Sequence, residues 1–196
     1  MPSAEQLEFR FVSGHRALDF VTTLGDRYRV EIERLRQPED LDRWLGSAGL
    51  PAATPAAAHD LRDARRLREV IYRLVHGVLY KEPLDPQDIH ELNAWAGQPR
   101  LAPQLDSALR RAWVCPNPVK GALAGIACEA IELLTGPERE LIRECAAAPA
   151  CSLLYIDRSR GRRRRWCEME RCGSRAKMAQ YRKRHTEDSD AGAAGR

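Results

Sequence analysis

A chain of 196 residues is long enough for one or two domains with a real core, and its 43% apolar content is ordinary for a globular protein. No apolar run approaches the roughly 20 residues needed to cross a bilayer, so no membrane-spanning helix is expected. The net charge of +4 conceals an asymmetry: residues 139–185 carry 14 Lys and Arg against 5 Asp and Glu, whereas residues 1–138 carry 17 against 20. A basic module on a slightly acidic body points to a polyanion-binding part joined to a part with another task; the blander reading is a solubilising charged face.

In chain order, MPSAEQLEFRFVS is short of helix signals, and the alternation in LEFRFV suits a short strand. HRALDFVTTL places Ala17, Leu18, Val21 and Leu24 at helical spacing. QPEDLDRWLGSAGL predicts a short helix with Pro38 at its start and Gly49 ending it. The longest helix is expected from about Pro55 to Tyr80, with Leu61, Ala64, Leu67, Ile71, Leu74, Val75 and Val78 on one face. Its arginines 62, 65, 66, 68 and 73 read as a solvated face, with a nucleic-acid face as the alternative. Asp85-Pro86 and Asn117-Pro118 each pair a capping side chain with a first-turn proline, so both open helices. Between these two helices, RLAPQLDSALRRAWV is read as two short strands turning near Asp106, because Pro103 interrupts any helix; a loop and a helix is the other reading. PERELIRE is expected as a last short helix, and TEDSDAGAAGR as a disordered tail.

The chemistry concentrates near the C-terminus. Cys145, Cys151, Cys167 and Cys172 form two close pairs with fifteen residues between them. Two thiolate pairs on short loops suit one tetrahedral zinc ion; two disulfides or four free thiols are the alternatives. About forty residues bury too little apolar surface to fold alone, so a metal supplies what the core lacks. Four thiolates leave no open position for water, which makes such a site structural rather than catalytic. No signal peptide is read at the N-terminus, so an oxidising compartment is not indicated and a cytoplasmic location is expected.

Around these cysteines stand LLYIDRSRG, RRRRWC and CGSRAK followed by a basic tail. The stretch resembles the CGNR zinc fingers of bacterial transcription regulators over about forty residues. Two departures stand out: Ser174 in the place of the motif's Asn, and a first cysteine pair one residue wider than usual. LDFVTT near the start is similar to the opening of the helical ABATE domain that precedes such fingers, with Thr22 where Asn is common. The resulting expectation is a mainly α protein: a helical domain over 1–140 with a small β-hairpin, a four-cysteine zinc module of short strand, turn and helix over 141–185, and the tail 186–196.

The resemblance implies DNA binding for transcription regulation, with the helical domain receiving a small-molecule effector, a partner or a second copy of the chain. In the finger, Arg158, Arg160, Arg162, Arg163, Arg164 and Arg165 are too dense to read separate bases, so phosphate contacts are expected of them. Arg175, Lys177, Gln180, Arg182 and Arg184 follow Cys172 on a helix whose start suits base edges; bracing of the knuckle is the alternative for Arg175 and Lys177. RNA binding and docking of an acidic protein partner are competing readings, since phosphate contacts alone do not separate DNA from RNA. In the first helix, His15, Asp19 and Thr22 form a polar stripe with Arg27 close behind. It lines an effector pocket or is simply a polar face with a structural ion pair. Of the remaining thiols, Cys128 reads as a core residue and Cys115 as exposed. No Gly-rich phosphate loop, HExxH or GxSxG is present, so no enzymatic reading has a motif behind it.

Overall fold

The computed structural model describes residues 2–50 and 54–182. A 23-residue helix, α4 (Ala58–Tyr80), runs through the middle of the molecule. Its buried stripe of Leu61, Ala64, Leu67, Val70, Ile71, Leu74 and Val75 meets three neighbours: α2 (Arg16–Val21), α3 (Pro38–Ser47) and α6 (Pro118–Thr135). α5 (Pro86–Ala96) covers α4 and α6 from the outside. Helix α6 contributes Val119, Ala122, Leu123, Ile126, Ala127, Ala130 and Leu133, whose small members let the helices approach closely. Trp44 on α3 is fully buried, its ring 5.0 Å from Phe20 and 5.9 Å from Phe11.

The turn chemistry places the helix starts where the sequence predicts. Asp85 accepts the Gln87 N–H at 2.8 Å and Asn117 accepts the Lys120 N–H at 3.1 Å, each followed by proline. The hairpin also forms: β3 (Ala102–Leu105) pairs antiparallel with β4 (Arg111–Val114), and Asp106 accepts N–H groups from Ala108 and Arg110 in the turn.

Three stretches differ from expectation. The N-terminal segment holds a one-turn helix, α1 (Ala4–Leu7), closed by a reciprocal Ser3–Gln6 capping box, and LEFRFV pairs in no strand. The helix read from HRALDFVTTL stops at Val21, because the Thr22 and Thr23 hydroxyls turn back to the carbonyls of Asp19 and Phe20. Leu24–Gly25 (β1) then pairs with Ile32–Glu33 (β2). PERELIRE is a 3-10 turn over Pro137–Leu141 followed by a strand, β5 (Ile142–Glu144), which pairs antiparallel with β6 (Leu154–Ile156). Its residues favour a helix locally, but Ile142 opposite Ile156 is buried only as a strand, and the tertiary partner prevails.

Strand β6 separates two cores. Leu154 and Ile156, with Ile142 of β5, join the helical core, whereas Leu153 and Tyr155 face the cysteines. This is the period-two alternation of a strand buried on both sides.

Candidate metal centre and cationic surface

Each knuckle is built from backbone bonds. Cys145 donates its N–H to the Leu153 carbonyl at 3.0 Å, and Ala148 donates to the Cys145 carbonyl at 3.0 Å, so the chain turns tightly back toward Cys151. The second knuckle forms on a π turn over Met169–Gly173, which runs directly into helix α7 over 174–182. Cys172 thus lies in the π turn, and the regular helix begins just after it, where the sequence predicts.

All four sulfurs are buried and lie within 4.8 Å of one another. Cys151 and Cys167 are 3.8 Å apart, and Cys167 and Cys172 3.6 Å. A tetrahedral ion with Zn–S bonds of about 2.3 Å has sulfur–sulfur edges of about 3.8 Å, so the donor set fits zinc. The Cys167 N–H points at the Cys145 sulfur at 3.5 Å and steadies it. The thiols also compete for protons. Hydrogen bonds from the other three hold Cys145 well below the usual thiol range, whereas bonds with Cys145 and Cys167 push Cys151 and Cys172 above it. A divalent cation resolves that competition by taking all four as thiolates. The site holds one structural zinc ion.

The loop between the pairs is shaped from inside. Asp157, fully buried, accepts from the Ser159 N–H and hydroxyl and from the Arg164 N–H. Burial pushes its carboxyl up, but these bonds outweigh it and hold it below the usual carboxylate range. The turn at the loop tip puts Gly161 and Arg162 at positive φ, +79° and +51°.

This architecture divides the expected arginines. Arg158 pairs with Glu138 at 2.6 Å and donates to the Gly14 carbonyl. Arg164 lies over the Tyr155 ring and donates to the carbonyls of Val12, Trp166 and Cys167. Both are taken up by the fold. Arg160, Arg162, Arg163 and Arg165 are exposed, and among the described residues none of the four has an ion pair. On α7, Arg175, Lys177, Gln180 and Arg182 are exposed as well; Arg184 lies outside the described residues, as does the tail 186–196.

Sequence reading missed the strap. Residues 5–14 hold the finger by Arg10 with Glu168, Glu5 with Arg171, the Ser13 carbonyl with the Ile156 N–H, and the two carbonyls that Arg164 and Arg158 reach. Nothing in its composition marks it, because its partners lie about 150 residues away.

The polar stripe of the first helix is placed mostly within the fold. Asp19 accepts the Ser13 N–H at 2.9 Å; burial pushes its carboxyl up, and the bonds from Ser13 work against that. Burial likewise lowers the pKa of His15. The Thr22 hydroxyl bonds the Asp19 carbonyl, and Arg27 pairs with Glu69 at 2.6 Å over the Tyr72 ring. Of the four, Thr22 lines a cavity of about 40 Å3 beside Arg10, Arg34 and Ser152. The arginines of α4 mostly tie it to neighbouring segments: Arg66 pairs with Glu91, Arg73 with Asp88, Arg65 bonds the Leu35 carbonyl, and Arg68, expected on the solvated face, is buried against Glu33 and Glu69. Cys115 and Cys128 are both half-buried, far from the zinc cluster in sequence.

No helix among the described residues is long and apolar enough to cross a membrane. No curated protein matches the chain. Two family models do, in succession: ABATE, described as "Putative stress-induced transcription regulator", over residues 14–137, and the CGNR zinc finger over residues 142–185. Since the first spans well over half of its length, the chain belongs to the ABATE family and carries a CGNR zinc finger after that domain.

Proposed function

We propose that this is a DNA-binding transcription regulator in which the zinc module, residues 141–185, contacts DNA and the helical domain, residues 1–140, receives the regulatory input. The observation that carries the reading is the division among the finger's arginines. The fold consumes Arg158 and Arg164 and leaves Arg160, Arg162, Arg163 and Arg165 exposed on a loop pinned by Asp157 and the zinc cluster. A display of guanidinium groups without ion pairs, Arg165 resting on the Trp166 ring, suits phosphate contact. Helix α7 leaves the same knuckle with Arg175, Lys177 and Gln180 exposed near its start, the side chains suited to guanine and adenine edges.

The test separates the two groups. Arg163→Ala weakens binding to all DNA sequences alike and flattens the salt dependence by about one unit. Arg175→Ala or Gln180→Ala relaxes preference at one base pair by roughly 1–3 kcal/mol. Uniform loss in both groups removes base reading from α7. Unchanged affinity in both removes DNA as the finger's partner and favours an acidic protein there. Tyr181 is the large exposed aromatic of α7, at 60% exposure, whereas Tyr155 is buried and Trp166 half-buried, which leaves little surface for the base stacking that single-stranded RNA recognition uses.

A further inference from the structure

Between α4, α5 and the first turn of α6 lies an open cleft of about 370 Å3, in the size range of small-molecule sites. Its charged lining falls into two kinds. Arg66 and Glu91 close on each other at 2.6 Å. Asp63 on α4 and Lys120 on α6 are both half-buried, and among the described residues neither side chain has an ion pair or a hydrogen bond, the Asp63 carboxylate only feeling the charge of Arg66. Trp95, packed against the helical core, forms an apolar wall of the same cleft. Lys120 stands in the first turn of α6, where the positive end of the helix dipole adds to its charge. One cavity thus offers an open carboxylate, an open ammonium and an indole face, each on a different helix.

We propose that this cleft binds a free α-amino acid with an apolar or aromatic side chain. The ligand's ammonium goes to Asp63, its carboxylate to Lys120, and its side chain lies along Trp95. A simple amine or a simple carboxylate satisfies only one of the two open charges and leaves the other desolvated without a partner. The inference concerns the helical half alone and does not rest on what the finger binds.

Isothermal titration of the full zinc-loaded chain with individual α-amino acids tests it. Saturable binding is expected for those with apolar or aromatic side chains, and none for their N-acetyl or methyl-ester derivatives, each of which lacks one charge. Asp63→Asn and Lys120→Met each weaken binding about tenfold or more, as loss of one charge-assisted contact does, with an unchanged thermal melt. The derivative series uses the native chain, so it decides even where a substituted protein fails to fold. No saturable binding by any amino acid, equal binding of either derivative, or affinity untouched by both substitutions overturns the proposal.

Discussion

The helical half and the zinc half of this molecule solve the same problem by different means. Among the described residues, the helical core gathers 24 buried apolar side chains from residues 17–133, and its polar links, such as Arg68 with Glu33 and Glu69, lie around that mass. Among the described residues, the core around the zinc cluster gathers six buried side chains, four of them cysteines. Where apolar area is scarce, the metal and a set of side-chain bonds to backbone carbonyls replace it. The arginines show the contrast well. In the helical half they mostly meet carboxylates, whereas Arg164 in the finger meets three carbonyls and a tyrosine ring.

The largest expected effect comes from removing the ion. Cys172→Ser eliminates bound zinc, about one equivalent per chain by metal analysis, and strips the protection of residues 145–173 in hydrogen exchange. Structural zinc in isolated finger peptides contributes on the order of 10 kcal/mol, more than this small cluster supplies without it. The helical half keeps its cooperative melt. Full zinc retention in that variant breaks the comparison.

Next comes truncation after Gly136. It deletes Ile142, Leu154 and Ile156, which belong to the helical core. At roughly 1.5–3 kcal/mol for each fully buried side chain, the loss is at most about 4.5–9 kcal/mol. The shortened protein is expected to stay helical but to melt far below the full chain. Equal melting temperatures show that the helical half needs nothing beyond Gly136.

Third, Arg164→Ala costs about 2–4 kcal/mol, because it strands partly buried carbonyls at Val12, Trp166 and Cys167. Arg163→Ala, one residue away, stays within about 0.5 kcal/mol. Equal denaturation midpoints for the two variants contradict the division drawn between them.

The smallest effect is a pH dependence in the helical half. Burial pushes the Glu69 carboxyl up, but its bonds and charge interactions with Arg27 and Arg68 outweigh that and hold it below the usual range. A folded pKa below the unfolded value of about 4.3 means that the stabilisation is present above that pH and is lost as the pH falls through the folded value. Glu69→Gln therefore flattens the decline of the helical melt below about pH 4, while lowering stability at neutral pH. A parallel decline in both proteins shows that Glu69 does not contribute to it.

Where local chemistry decides the structure, the sequence was legible. Asp85-Pro86 and Asn117-Pro118 fix helix starts, Pro103 and Asp106 fix the hairpin, and paired cysteines fix the metal centre. Where a distant partner decides, it was not. Ile142 is a strand residue only because Ile156 lies opposite it, and the segment Glu5–Gly14 has its role only because the finger returns to it. The arginine run looks uniform as a string of letters. Nothing short of the loop's shape tells Arg164, aimed inward, from Arg163, aimed out. Among the candidate site residues, the metal centre was thus readable in advance, the allotment of cations was not, and the cleft between Asp63 and Lys120 gave no local signal at all.

The two-sided strand sets a rule on chain length. Leu153 and Tyr155 serve one core and Leu154 and Ile156 the other, so a single residue inserted between Cys151 and Asp157 would exchange every side chain across the partition. The arginine-bearing turn carries no such parity. Insertions at Arg160 to Arg163 keep the alternation of both cores and change the reach of the cations, at the cost of the turn's bonds to Asp157 and Ser159. The chain can therefore vary how far its basic loop extends while the spacer between Cys151 and Asp157 stays fixed.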